Sequence, residues 1–130
     1  MALTILVVDD EPIMRSLLAR MLIRLNATAV EAASGPEAEG MIAEVKPDLV
    51  LLDIMMPEQD GYTTCQHLRT QGYTGRVVMV TAISPEAGLR KALDAGANDY
   101  MQKPVNRDAL QGHIDAVEAA LAKRRATEDN

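Results

Sequence analysis

The chain has 130 residues, 48% of them apolar and 25% charged, with a net charge of −6. That is the size and balance of one globular domain able to bury about two-thirds of its unfolded surface without disulfides. The negative balance disfavours direct nucleic-acid binding, which rests on Lys and Arg neutralising phosphates, and a lone Cys65 leaves no disulfide framework or cysteine metal site.

The first apolar run, Leu3–Val8, predicts a strand that stops at Asp9. Met14, Leu17, Leu18, Met21, Leu22 and Leu25 then recur at helical spacing. Thr28–Ala32 predicts a second, shorter strand, and Ser34-Gly35-Pro36-Glu37 has the Ser-x-x-Glu pattern of a helix start. Ala38, Met41, Ile42 and Val45 form the stripe of that helix before Pro47 closes it. Leu49–Leu52 is uniformly apolar, as a central strand covered on both faces must be.

A loop, Ile54–Asp60, leads through Gly61 into a third helix carrying Tyr62, Cys65, Leu68 and Arg69 and ending at Gly72. Val77–Val80 predicts the fourth strand. Ser84-Pro85 opens a fourth helix that Gly96 ends; it is weak, because Gly88 lies inside it and Leu89 and Leu93 are its only large apolar residues. Asp99–Gln102 predicts the last strand, and Arg107 to Arg125 a final helix with Leu110, Ile114, Val117 and Leu121 as its stripe. Lys123, Arg124 and Arg125 complement the negative end of that helix. The domain is expected to span 1–125, with 126–130 a polar tail or the start of a linker.

Four of the strand runs end in a group that grips a metal ion or a phosphoryl oxygen: Asp9 and Asp10, Asp53, Thr81, and Lys103 before Pro104. Strict alternation of strands and helices implies βαβ units around a parallel sheet, whose carboxyl edge is where ligands bind. Each group alone has an ordinary reading. Asp-Asp can end a strand and cap a helix, Thr81 suits a strand, and Lys-Pro marks a turn. Their repetition at four strand ends carries the functional reading.

The words Val7-Val8-Asp9-Asp10-Glu11-Pro12, Leu51-Leu52-Asp53-Ile54-Met55-Met56-Pro57, Asp60-Gly61, Thr81-Ala82, Ala95-Gly96-Ala97-Asn98-Asp99-Tyr100 and Lys103-Pro104, in this order, resemble the receiver domain of two-component response regulators from about Leu3 to Leu121. The resemblance implies a flavodoxin-like (βα)5 fold, a doubly wound five-stranded parallel sheet of order 2-1-3-4-5 with helices on both faces. It also implies Asp53 as phosphoacceptor. Asp9, Asp10, Asp53 and the backbone carbonyl of Met55 would be ligands of Mg²⁺ or Mn²⁺, and Lys103 and Thr81 would meet phosphoryl oxygens. Met55, Ala82, Ile83 and Pro104 would line the pocket, and the Lys103-Pro104 bond is expected to be cis.

On phosphorylation Thr81 would move toward the new group and Tyr100 would swing inward, altering the face made by the fourth helix, fifth strand and fifth helix. Apolar Met55 and Ile83 cannot orient a water, so slow hydrolysis of the acyl phosphate is expected. The implied partners are a histidine kinase or histidine phosphotransfer protein upstream and a protein or fused output domain downstream. The expected protein is cytoplasmic, with no leader, membrane span or membrane contact, and is a monomer or a weak dimer through that face. It would be no conventional enzyme, catalysing only its own phosphorylation and slow dephosphorylation. A haloacid-dehalogenase-type phosphatase also uses a strand-end Asp but wants a second Asp two residues on, where Met55 stands. No phosphate-binding glycine motif supports a nucleotide enzyme. A stand-alone receiver and a fragment of a larger regulator or hybrid kinase both fit the residues.

Overall fold

Period-two apolar runs and period-3.6 stripes alternate along the chain, and in the computed structural model, which describes residues 2–128, they become β1 (Thr4–Val8), α1 (Pro12–Arg24), β2 (Thr28–Ala32), α2 (Gly35–Val45), β3 (Leu49–Leu52), α3 (Gly61–Thr70), β4 (Arg76–Thr81), α4 (Pro85–Asp94), β5 (Asp99–Gln102) and α5 (Arg107–Glu128). The strands form one parallel sheet of order β2-β1-β3-β4-β5. Alternate residues of each strand feed opposite cores. Leu6, Val8, Val50, Leu52, Val77 and Met79 pack with residues of α2, α3 and α4. Ile5, Val7, Leu49, Leu51, Val78 and Val80 pack with residues of α1 and α5. All four residues of β3 are buried, as a strand covered on both faces requires.

Local chemistry sets the helix starts. Ser34 Oγ accepts from the Glu37 amide at 3.2 Å, and Asp60 Oδ1 from the Thr63 amide at 2.8 Å. Ser84 sits at the N-cap of α4, but its hydroxyl makes no capping bond, so the first turn of that helix lacks this support. The buried residues of α4 are Gly88 and Ala92, while Leu93 is 46% exposed. On α1, Leu17 lies on the expected apolar stripe yet is 50% exposed; only Leu18, Ala19 and Leu22 are buried there, a narrower seam than the spacing suggests.

Helix α5 runs to Glu128, past the expected end at Arg125. Ala, Lys, Arg and Glu in its last turns are good helix formers, and Thr127 Oγ1 donates to the Lys123 carbonyl at 3.0 Å. Of the expected tail at 126–130, residues 129 and 130 lie outside the described residues.

The far end of α4 is tied down by Arg69 of α3. Its guanidinium donates to the carbonyls of Tyr73 (2.9 Å), Gly75 (2.7 Å) and Gly96 (2.9 Å), and to Asn98 Oδ1 (2.9 Å).

Gly61 illustrates where the backbone cannot spare room. A Cβ there would meet the Asp53 carbonyl oxygen and stand 2.8 Å from Ile54 Cα and 2.9 Å from Asp53 C, all backbone atoms. Gly61→Ala is expected to destabilise the fold by about 2 kcal/mol or more in urea denaturation. Gly40 and Gly112 face open space inside α2 and α5, so Ala at either should stabilise by about 1 kcal/mol.

Candidate functional site

The register of the sheet assembles the site. Val8 pairs with Leu52, so the residues that follow them, Asp9 and Asp53, leave neighbouring strands side by side. The Asp53 amide donates to the Val8 carbonyl at 3.0 Å, and the Asp9 amide to the Ala32 carbonyl at 3.1 Å. Asp10 follows on the same edge, and one carboxylate oxygen from each of Asp9, Asp10 and Asp53 lies within 4.8 Å of the others.

Lys103, beyond the end of β5, reaches across to this cluster. Its amide donates to the Thr81 carbonyl at 2.7 Å. Its Nζ donates to Asp9 Oδ2 at 2.9 Å and Asp53 Oδ2 at 3.3 Å. The Lys103-Pro104 peptide is cis. Asp9 Oδ1 accepts from the Glu11 amide at 2.9 Å, and Asp53 Oδ1 from the Met55 amide at 3.3 Å. Asp10 Oδ1 is buried and has no hydrogen-bond partner among the described residues. An unpartnered buried carboxylate oxygen is costly unless something of opposite charge meets it.

The electrostatics are those of crowded anions. Burial pushes the Asp53 carboxyl above its usual range; Lys103 pulls it down and Asp9 pushes it up, and the upward causes prevail. Burial works against the Lys103 ammonium, but the hydrogen bond to Asp9 and the charges of Asp53 and Asp9 outweigh it and hold it above its ordinary value.

The other expected residues stand around this core. Thr81 is fully buried at the end of β4, its Oγ1 accepting from the Ile83 amide at 3.3 Å. Met55 is 64% exposed, Ala82 and Pro104 are exposed, and Ile83 is half-buried. Tyr100 is also half-buried, its hydroxyl already donating to the Ile83 carbonyl at 2.8 Å. Asp9, Asp10, Asp53 and Lys103 are thus brought together, while Thr81 and Tyr100 sit on the two strands beside them.

Two further residues support the site without an obvious sequence signal. Arg15 donates to the Asp9 carbonyl at 2.8 Å and pairs with Glu31 at 3.1 Å, bracing the end of β1. Tyr62 of α3 lies beside Tyr100, with Lys91 over its ring at 4.6 Å.

A family model described as the response regulator receiver domain matches residues 5–115. The chain is 37% identical over 117 residues to the chemotaxis protein CheY of Halobacterium salinarum, covering 90% of this chain and 98% of that protein. It is 39% identical over 130 residues to the response regulator MprA of Mycobacterium bovis, covering 99% of this chain and 54% of that one. The chain spans about half the length of several curated relatives it matches. Among solved structures, a two-component response regulator from Clostridium difficile superposes with a TM-score of 0.84 at 28% identity, covering 92% of this chain and 98% of that one.

Lys103→Met leaves Asp9 and Asp53 without their shared cation and is expected to cost about 3 kcal/mol or more at neutral pH. Asp53→Asn should do the opposite in metal-free buffer. Because the folded-state pKa of Asp53 is raised, its charged form is penalised above that pKa, and the penalty vanishes once the group is protonated in both states. The gain from Asn should therefore be full near neutrality and fade as pH falls through the folded and then the unfolded pKa. Urea midpoints measured across acid and neutral pH with a chelator present check both.

Proposed function

The chain belongs to the response regulator receiver domain family, and on that premise we propose that Asp53 accepts a phosphoryl group from a histidine kinase or histidine phosphotransfer protein. The observation that carries the reading is the convergence of Asp9, Asp10, Asp53 and Lys103 on the carboxyl edge of the sheet, with Asp10 Oδ1 left unpartnered. A carboxylate oxygen of Asp53 bonds to phosphorus as the phosphorus–nitrogen bond of the donor breaks. Two anions must approach for this, so positioning and charge compensation carry most of the catalysis.

The donor set fits a hard divalent cation. The carboxylates of Asp9, Asp10 and Asp53, together with the Met55 carbonyl, would hold Mg²⁺ or Mn²⁺. When bound, the cation supplies positive charge against the phosphoryl oxygens. Lys103 Nζ, shared now between Asp9 and Asp53, is placed to exchange one carboxylate for a phosphoryl oxygen. The Thr81 hydroxyl is the donor for another. Met55 and Ile83 offer no side-chain group to orient a water, which favours a long-lived acyl phosphate.

We place the receiver unit at 1–125. It delivers its signal through the α4–β5–α5 face to a partner protein or a fused output domain, as a monomer or a weak dimer, in the cytoplasm. Among the described residues no helix is long and apolar enough to cross a membrane.

Incubation with Mg²⁺ and a small acyl phosphate, followed by intact-mass analysis, should show the gain of one phosphoryl group on the wild-type chain and none on Asp53→Asn. Continuous turnover of a chromogenic phosphate ester without such labelling would contradict the reading. After removal of the donor, the label should persist far longer than seconds in Mg²⁺ buffer; loss within seconds would contradict the assignment of Met55 and Ile83.

A further inference from the structure

Gly88 is the buried glycine in the middle of α4, and glycine is a poor helix former. Its surroundings give it a purpose. A Cβ at 88 would overlap the Tyr100 hydroxyl, and it would stand 3.1 Å from Tyr100 Cζ and 3.1 Å from the Tyr62 hydroxyl. The phenol of β5 thus occupies the space that any other residue of α4 would claim. Lys91, three residues further along α4, lays its ammonium over the Tyr62 ring at 4.6 Å.

The seat is connected to the site through one residue. The Ile83 carbonyl accepts from the Tyr100 hydroxyl at 2.8 Å, and the Ile83 amide donates to Thr81 Oγ1 at 3.3 Å. Tyr100 therefore holds the same loop residue that engages the Thr81 hydroxyl on the strand beside Asp53. The sequence suggests a tyrosine that turns inward when phosphorylation occurs. Here the ring sits inward, its hydroxyl on the Ile83 carbonyl.

We propose that Gly88 is the positioning residue for Tyr100: by presenting no Cβ, it leaves the ring room to sit inward and so to hold the β4–α4 loop against Thr81. A side chain at 88 displaces the ring rather than the helix. What it meets is the tip of a side chain that rotates about one bond, whereas moving α4 would unpack buried Ala92. The seat stands independently of the phosphoacceptor reading; its effect on Asp53 rests on that reading.

The test uses the full chain labelled with 3-fluorotyrosine, which gives one ¹⁹F signal for each of its three tyrosines. Tyr100→Phe assigns the relevant signal. In Gly88→Ala the Tyr100 signal should move toward that of free fluorotyrosine with a larger solvent-isotope shift, while Tyr73, bonded to the Pro47 carbonyl at 2.8 Å, should not move. Thermal midpoints supply the rescue. Gly88→Ala should raise the midpoint by about 4 °C in a Tyr100→Ala background, where only the Tyr62 hydroxyl at 3.1 Å still has to give by a few tenths of an ångström, and by clearly less in the wild-type background. Labelling of Asp53 by a small acyl phosphate should be several-fold slower in Gly88→Ala.

An unmoved Tyr100 signal in folded Gly88→Ala, or equal midpoint changes in the two backgrounds, would overturn the seat. If Gly88→Ala alone does not fold, a folded and stabilised double variant supports the steric conflict with Tyr100, and an unfolded one refutes it. A displaced ring with an unchanged labelling rate refutes the link to Asp53. Should the wild-type chain fail to label, the phosphoacceptor reading and that link fall together, and the spectra judge the seat alone.

Discussion

Three carboxylates share the end of two neighbouring strands, with one ammonium between them. Fully ionised, the group carries two more negative than positive charges, in a place where burial already penalises the charge on Asp53. Such an arrangement is unfavourable on its own. The Glu11 and Met55 amides and the Lys103 ammonium offset part of the penalty, and a divalent cation would offset the remainder. The fold enforces the crowding through strand register: with Val8 opposite Leu52, Asp9 and Asp53 have no freedom to separate.

The frame around the cluster is well braced beside the charges and thinly packed at α4. Gly61 lets the start of α3 lie against the backbone of Asp53, and Arg15 grips the carbonyl of Asp9. Arg69 ties the α4–β5 loop to the end of α3. Between these fixed points α4 is packed by Gly88 and Ala92 and lacks a side-chain cap at Ser84. Few buried apolar contacts mean low local stability. Tyr100 bridges the two regimes, one end in β5 and its hydroxyl on the loop that leads into α4.

Much of this was legible in the sequence, for a physical reason. The pattern of apolar residues reports burial directly, so the ten elements and their order could be read with only end effects in error. Thr81 extends β4, and α5 continues to Glu128 because its last residues favour helix as strongly as those before them. Periodicity does not report which strands are neighbours; the order β2-β1-β3-β4-β5 was reached through family resemblance. Leu17 shows the limit of the helical stripe, since spacing marks a face wider than the part that is covered. Gly88 shows another. Read along the chain it is only a defect in a helix; its partner, Tyr100, lies on another element, and no local pattern announces that the two meet. The roles of Arg69, Arg15 and Tyr62 are not legible along the chain either, because their partners are mostly backbone groups or side chains far away in sequence.

If the crowded carboxylates form a site for a divalent cation, calorimetric titration of the chain with Mg²⁺ reports it. One ion should bind per chain, with binding lost or strongly weakened in Asp10→Asn. No heat of binding in the wild-type chain, or the same binding in Asp10→Asn, would contradict it.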